Sequence, residues 1–179
     1  MQKAGVLLTG LMTLFSPSYL NADPLLQKGT KDLAMVGSPD FTAPSGDTLS
    51  LAFGLGLFIR DNLSLRVTLL HEIQEDIAPG NADYRATEYN LVSEYHFDPG
   101  WVFIPYLGVE LGWRRSKFGS IRDSGVIFGP RAGFKYFLAD NVAIDVVLSY
   151  KTSTDDVYIS DFESESNKIA FGFGLRFMF

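Results

Sequence analysis

The side chains best suited to proton transfer near neutral pH are His71 and His96, the two histidines of the sequence. Nucleophilic acyl chemistry would need a serine beside one of them, on the same face of its strand. No serine lies two residues from His71, and His96 lies two residues from both Glu94 and Asp98. His96 is therefore expected to be a hydrogen-bonded structural residue, and the sequence predicts no enzymatic site.

Two groups of charged residues occupy polar segments with the composition of loops. Arg115, Lys117 and Arg122 could donate charge-assisted hydrogen bonds to phosphate groups, and a solvated loop explains them equally well. Further along, five acids could gather Ca²⁺, but without EF-hand spacing solubilisation by mutual repulsion is favoured; they are Asp155, Asp156, Asp161, Glu163 and Glu165. No cofactor and no metal site are predicted.

The elements that position these residues are indicated by an alternation of apolar and small or polar residues with a period of two, as in "TLSLAFGLGLFI". The alternation predicts eight strands, at about 29–37, 48–59, 63–74, 86–97, 101–114, 125–137, 142–151 and 166–179. Short turns such as "RDN" and "LADN" alternate with longer polar connections. An even number of antiparallel strands lets the sheet close with both chain ends on one side, so the predicted fold is an all-β, eight-stranded antiparallel up-and-down barrel.

The two faces of these strands differ in charge. From the second strand onward the apolar face contains no Asp, Glu, Lys or Arg. The other face carries Arg66, Glu72, Glu88, Glu94, Glu110, Arg114, Arg131, Lys135, Asp145, Lys168 and Arg176. A soluble barrel would enclose the apolar face around a ligand, whereas a transmembrane barrel encloses the polar one. The width of the apolar face favours a transmembrane barrel with a network of ion pairs in its lumen.

Aromatic residues mark the ends of several strands. In "WVFIPYLGVELGW" the apolar face begins at Trp101 and ends at Trp113, a length that projects to roughly 30 Å for a strand tilted by about 40°. Such spacing is typical of interfacial girdles, for which the candidates are Trp101, Phe103, Trp113, Tyr136 and Tyr150. Pro105 and Pro130 fall within strands, so a bulge or a missing ladder bond is expected at each.

The N-terminus has the pattern of an export signal. Lys3 precedes an apolar run, and a polar stretch with Ala22 as its last residue follows, so 1–22 is predicted to be a cleaved signal peptide and 23–28 a short N-terminal segment. Removing Lys3 would change the net charge from −6 to −7, and such acidity argues against nucleic acid as a partner. There is no cysteine, so disulfides do not stabilise residues 29–179, the predicted barrel domain.

Taken together, the exported start, the eight alternating strands, the short turns opposite long loops and the terminal Phe resemble the small outer-membrane β-barrels of Gram-negative bacteria, of the OmpA-domain and OmpX kind. In that family the last strand is read by the barrel-assembly machinery. The positions that match this signal are Phe171, Phe173, Leu175, Phe177 and Phe179. The resemblance implies a monomer in the outer membrane, surrounded by its lipids and lipopolysaccharide, for which Arg115, Lys117 and Arg122 are candidate contacts.

The function expected from this resemblance is a structural or surface-interaction role through the extracellular loops, with a ligand that the sequence does not specify. Two alternatives remain open. Some small barrels of this kind modify lipid A, and His71 lies at a suitable height, but the His-x-Ser arrangement of the deacylases is absent. A narrow channel is the other alternative, disfavoured because eight strands enclose a lumen that side chains can fill.

Overall fold

The computed structural model of the protein describes residues 24–40, 48–74, 84–118, 120–160 and 163–179. These residues form strands β1 (Lys31–Asp40), β2 (Thr48–Arg60), β3 (Leu63–Gln74), β4 (Tyr84–His96), β5 (Phe103–Phe118), β6 (Ile121–Ala139), β7 (Val142–Ser153), β8 (Tyr158–Ser160), β9 (Glu163–Glu165) and β10 (Asn167–Met178). Within the described ranges, no helix is long and apolar enough to cross a membrane. The predicted signal peptide lies outside the described residues.

Eight of these strands close into one antiparallel barrel. Strands β1 to β7 pair in the order of the sequence, and β10 pairs with β7. Pairing of β1 with β10, in which Leu33 lies opposite Phe177, closes the sheet. The all-β, eight-stranded antiparallel up-and-down barrel predicted from the alternation is thereby confirmed. We call the end with the short connections at 61–62, 97–102 and 140–141 the turn end, and the opposite end the loop end.

The barrel has its apolar face on the outside. Leu55, Val109 and Phe173 expose 68%, 62% and 52% of their surface, whereas Arg66 and Glu94 are buried. This arrangement is the reverse of a soluble barrel that carries an apolar ligand, and it excludes that alternative.

Two regions expected to be loops continue as strands. Strands β5 and β6 extend four residues further than predicted, to Phe118 and back to Ile121, in an unbroken register. The segment expected to be the fourth long loop contains the hairpin β8–β9, in which Tyr158 pairs with Glu165. Beyond the apolar belt both faces of a strand meet water or polar groups, so the alternation that identifies barrel strands is lost there.

Neither proline produces a bulge. Pro105 pairs with Phe134 in continuous register, and at Pro130 the β6–β7 ladder is interrupted without a change of register, between Phe128 and Arg131. A proline has no N–H to donate, so a gap in the ladder is the smaller of the two disturbances that the sequence suggested.

The N-terminal segment 24–30 crosses the turn end and closes it. Leu26 is 3% exposed and packs in an apolar cluster with Phe58, Ile104, Phe137, Ala143 and Met178. The backbone N–H of Asn62 donates to the carbonyl of Leu26 at 2.8 Å, and that of Leu25 donates to Asp140 at 3.2 Å. The lumen therefore has an apolar floor held by backbone hydrogen bonds.

Candidate functional site

Glu94 is the centre of the charge network in the turn-end half of the lumen. Its carboxylate oxygens lie 2.6 Å from Arg66, 3.3 Å from Arg131, 3.3 Å from Lys135 and 3.4 Å from Arg176. The Glu94 side chain is 0% exposed. A carboxylate in such a position is stable only when it is paired, so the four cations and Glu94 stabilise one another.

Arg176, on the last strand, joins this centre to the first strand. Its guanidinium lies 2.7 Å from Asp32 and 2.6 Å from Asp145, and Tyr106 donates its hydroxyl to Asp145 at 2.9 Å. The sequence did not predict that Asp32 faces the lumen, because the alternation of β1 is weak. Asp32 lies two residues from the buried Ala34 and therefore on the same face of the strand. The ion pair between Arg176 and Asp32 crosses the seam at which the barrel closes.

Arg114 holds the loop-end half of the network. It donates to Glu88 at 2.9 Å and to Glu72 at 2.9 Å. Glu88 also pairs with Lys151, and Glu72 accepts from Lys168 at 3.2 Å. The sequence analysis did not assign Lys151 to the network. Lys151 is the last residue of the predicted strand 142–151 and has the same inward orientation as Asp145 and Ser149.

Arg131 and Lys151 together connect the two halves. The Arg131 guanidinium lies 3.3 Å from Glu94 and 3.3 Å from Glu110, and the Lys151 ammonium group lies 3.8 Å from Glu110 and also pairs with Glu88. The structure thus brings the eleven charged side chains predicted to face the lumen into one network. They are Arg66, Glu72, Glu88, Glu94, Glu110, Arg114, Arg131, Lys135, Asp145, Lys168 and Arg176. The network extends from the apolar floor to the loop end and occupies the lumen along its length.

His96 is fixed at the lower edge of the network. Its Nδ1 lies 3.1 Å from the carbonyl oxygen of Asn62, which can only accept, so Nδ1 donates. The other ring nitrogen, Nε2, therefore accepts from the ammonium group of Lys135. A histidine held in this way is a structural element of the lumen and offers no lone pair for catalysis.

Glycines make room for the long charged side chains. A Cβ atom at Gly54 would lie 2.7 Å from Cδ of Arg66, and one at Gly108 would lie 3.1 Å from Cγ of Glu94. At Gly133 it would lie 2.6 Å from the hydroxyl of Tyr106. The network therefore depends on the absence of side chains beside it.

The hairpin β8–β9 covers part of the loop end. Val157 and Tyr158 are buried with Ile127, and the ring centre of Tyr158 lies 4.7 Å from the guanidinium carbon of Arg114. Tyr84 donates to the carbonyl of Val157 at 3.4 Å. Beneath the hairpin lies a cavity of about 90 Å³, enough for a few water molecules. The alternation predicts a loop here, because a buried Val-Tyr pair has no periodicity to reveal it.

Replacing Tyr158 by Phe gives a test of this packing. Burial raises the pKa of the Tyr158 phenol above its ordinary value of about 10, and its oxygen has no hydrogen-bond partner among the described residues. Tyr158→Phe should therefore leave the free energy of unfolding unchanged or higher at pH 7. Above pH 10 the unfolded Tyr ionises more readily than the folded one, so the wild-type barrel should lose stability relative to the variant.

Urea unfolding of both proteins at pH 8, 10 and 11 measures this difference. Tyr89→Phe is the matched control, because Tyr89 is 56% exposed on the outer face. A difference between wild type and Tyr158→Phe that stays constant with pH would contradict a buried Tyr158.

His71 lies on the outer face of β3, and its Nδ1 is 3.2 Å from the hydroxyl of Thr87. Among the described residues no carboxylate forms an ion pair with His71. The group of acids considered for Ca²⁺ is only partly described, since Asp161 lies outside the described residues. In the part that is described, no cluster of ligating side chains could hold a metal ion.

The girdle candidates lie on the outer face at both ends of the belt. Near the turn end, Phe103 lies opposite Tyr136, and Trp101, which precedes β5, is 64% exposed. Toward the loop end, Trp113 and Tyr150 are exposed. The residues of the last strand that match the assembly signal share the outer face: Phe171, Phe173, Leu175, Phe177 and Phe179.

Exposed cations lie beyond the loop-end girdle on adjacent strands. In the strand register, Lys117 of β5 lies opposite Arg122 of β6 and opposite Arg85 of β4. Arg115 follows Trp113 on the same face of β5. All four side chains are exposed. Arg85 was missed because the predicted strand began at residue 86.

Known proteins resemble this structure. Neisserial surface protein A superposes with a TM-score of 0.60 at 20% identity, covering 84% of this chain and 95% of its own. Ail of Yersinia pestis gives a TM-score of 0.55 at 13% identity, with 86% and 100% covered. The N-terminal barrel domain of Pseudomonas aeruginosa OprF gives 0.52 at 17%, with 85% and 98% covered. No curated protein sequence gave a match.

These likenesses concern the fold, because the identities are low. The sequence itself matches the family model for the outer membrane protein beta-barrel domain over residues 15–177. This match covers most of the chain, and it agrees with an apolar exterior, a charged lumen and eight closed strands. The chain belongs to the outer membrane protein beta-barrel domain family and is an outer-membrane barrel.

Proposed function

We propose that this barrel is a non-enzymatic structural or surface-interaction protein of the outer membrane, which acts through its extracellular loops and the adjacent outer face. The observation that supports this proposal is the closure of the lumen. The apolar cluster around Leu26 closes the turn end, the hairpin with Tyr158 covers part of the loop end, and the ion-pair network lies between them. The surfaces that remain for partners are therefore outside the lumen.

Planar-bilayer recording tests the closed lumen against the alternative of a narrow channel. The full chain, refolded and reconstituted, should give no stepwise conductance in 1 M KCl. An open porin reconstituted in the same way controls for insertion. Discrete, reproducible steps from the wild-type barrel would establish a channel and overturn this part of the proposal.

The alternative of a lipid A-modifying enzyme has a separate test. Cells that produce the wild-type barrel or His71→Ala are compared by mass spectrometry of their lipid A. Identical spectra for the two proteins and for cells without the barrel are expected. A modification that depends on His71 would show that the protein is an enzyme.

A further inference from the structure

We propose that the cavity in the loop-end half of the lumen binds one small monovalent carboxylate with a short aliphatic chain, such as propionate. The charged side of the cavity would hold the carboxylate, and the aliphatic side would hold the chain. This inference goes beyond the proposed function, because it concerns a small ligand inside the barrel and not a partner of the outer surface.

The charged side chains that line the cavity do not balance. Among the described residues they comprise three acids and four bases, which are Glu72, Glu88, Glu110, Arg114, Arg131, Lys151 and Lys168. The turn-end half of the network has no acid to spare, because its three acids meet three bases: Asp32, Glu94 and Asp145 against Arg66, Lys135 and Arg176. An excess positive charge in a narrow lumen is unfavourable unless a counter-ion neutralises it, so a monovalent anion suits this cavity.

Buried donors in the cavity lining lack hydrogen-bond partners. Nε of Arg114 has no partner among the described residues, and the Arg114 side chain is 1% exposed. The hydroxyl of Tyr158 also has none, and Tyr158 is 2% exposed. Both residues line the cavity. A carboxylate has two oxygens that can accept hydrogen bonds from such donors, and the bond from a guanidinium is charge-assisted.

The cavity is large enough for a small carboxylate together with water. Oδ1 of Asn90 and Oε1 of Glu110 are acceptors without a hydrogen-bond partner in the described lining, and water beside the ligand can donate to them. Since a single water molecule needs about 10–15 Å³ of cavity, the volume of about 90 Å³ also accommodates the few non-hydrogen atoms of propionate. The proposed site is therefore partly hydrated.

The remaining wall of the cavity is aliphatic over five adjacent strands. Strands β7, β10, β1, β2 and β3 follow one another around the barrel and contribute Val147, Ala170, Val36, Ala52 and Leu70. The described lining from β4, β5 and β6 has only charged or amide side chains. An anion without an apolar part, such as chloride, would leave the aliphatic wall in contact with water, whereas a short alkyl chain covers it.

Lys168 marks the side on which the cavity meets water. Its side chain is 24% exposed, whereas that of Lys151 is 7% exposed. Glu72 pairs with Arg114 as well as with Lys168, so replacing Lys168 leaves no buried carboxylate unpaired. Lys168 is therefore the position at which the excess charge can be removed with the least disturbance of the network.

Equilibrium dialysis of radiolabelled propionate against the full chain, refolded in phospholipid nanodiscs, tests the proposal, with empty nanodiscs as the blank. Saturable uptake of one propionate per wild-type barrel is expected. Lys168→Gln makes the described acids and bases of the cavity equal in number and should weaken binding at least about tenfold, whereas Lys168→Arg should retain it. The control Lys31→Gln removes an exposed lysine at the turn end and should bind like wild type.

Ala170→Leu tests the location of the site, because leucine fills the cavity and leaves every charge in place, so uptake should be lost. Propionamide, which is neutral and has the same shape, and chloride should both compete far less than unlabelled propionate. Absence of saturable uptake by wild type would show that the cavity holds water only and would overturn the proposal. Unchanged uptake by Lys168→Gln or Ala170→Leu, or equal competition by propionamide or chloride, would do so as well.

Each variant is first checked for the heat-dependent gel shift of a folded barrel. The conductance test of the proposed function is independent of these outcomes, because a closed lumen can bind an ion without passing it.

Discussion

Glu94→Ala is expected to lower the free energy of unfolding by about 3–5 kcal/mol, the cost of removing one partner from a buried ion pair. Four cations approach the Glu94 carboxylate, and the variant would leave them to repel one another at a buried site. Urea titration of the barrel refolded in lipid vesicles, followed by tryptophan fluorescence, measures the change.

The control for this experiment is Asp156→Asn, because Asp156 is an exposed acid outside the network and should change stability little. A second substitution distinguishes lost charge balance from lost packing. Lys135→Met added to Glu94→Ala removes the cation whose described ion pair is with Glu94, so the double variant should recover part of the loss. A loss below about 1 kcal/mol for Glu94→Ala, as for an exposed ion pair, would show that the lumen is hydrated and screened.

Val109→Arg is expected to destabilise the barrel by about 2–4 kcal/mol, the cost of an arginine at the bilayer midplane. Val109 is 62% exposed and lies between the girdles at Phe103 and Trp113 on β5. In a soluble protein an exposed valine tolerates arginine, so the size of the effect reports that lipid covers this position. Unfolding in phospholipid vesicles, with wild type as reference, measures it.

The matched variant is Phe97→Arg, at an aromatic residue of the turn end that is 46% exposed. Near the interface an arginine can reach water, so the expected cost is only about 0–1 kcal/mol beyond the lost ring. Equal costs at Val109 and Phe97 would contradict the depth that the structure gives to the apolar belt.

The alternation predicted the barrel because one physical difference separates its two faces. Lipid on one side and a narrow lumen on the other force residues such as Phe173 and Arg176 to opposite faces, and the period of two records that choice along the strand. The eleven charged side chains predicted to face the lumen followed from parity alone, whereas Asp32 and Lys151 were missed. The pairing of these side chains did not follow, because partners such as Arg176 and Asp32 are joined by the closure of the sheet and lie far apart in sequence.

The two closures of the lumen were beyond the reach of periodicity. Leu26 and Tyr158 each belong to a short apolar run, Leu25–Leu26 and Val157–Tyr158, within a polar segment, and their burial depends on tertiary contacts that leave no local pattern. Asp32 and Lys151 show a different limit, although both occupy inward-facing positions of their strands. Asp32 lies on β1, whose alternation is weak, and Lys151 is the last residue of the predicted strand 142–151. The loop-end cations were visible as charges, but their adjacency emerged only from the register that pairs Lys117 with Arg122 and Arg85.

This barrel reverses the usual pattern of substitution in soluble proteins. Its large apolar residues, which face lipid, can be exchanged for one another, whereas the glycines beside the charged network cannot be replaced. Lipid is a fluid solvent, so an exchange of one apolar residue for another on the outer face leaves no cavity and meets no fixed neighbour. Inside, Gly54, Gly108 and Gly133 have no space for even one methyl group. In a library of random variants, the surviving sequences should vary in their outer-face residues and keep these glycines. Distant descendants of the barrel should therefore be recognisable by their glycines and lumen charges rather than by their bulky apolar residues.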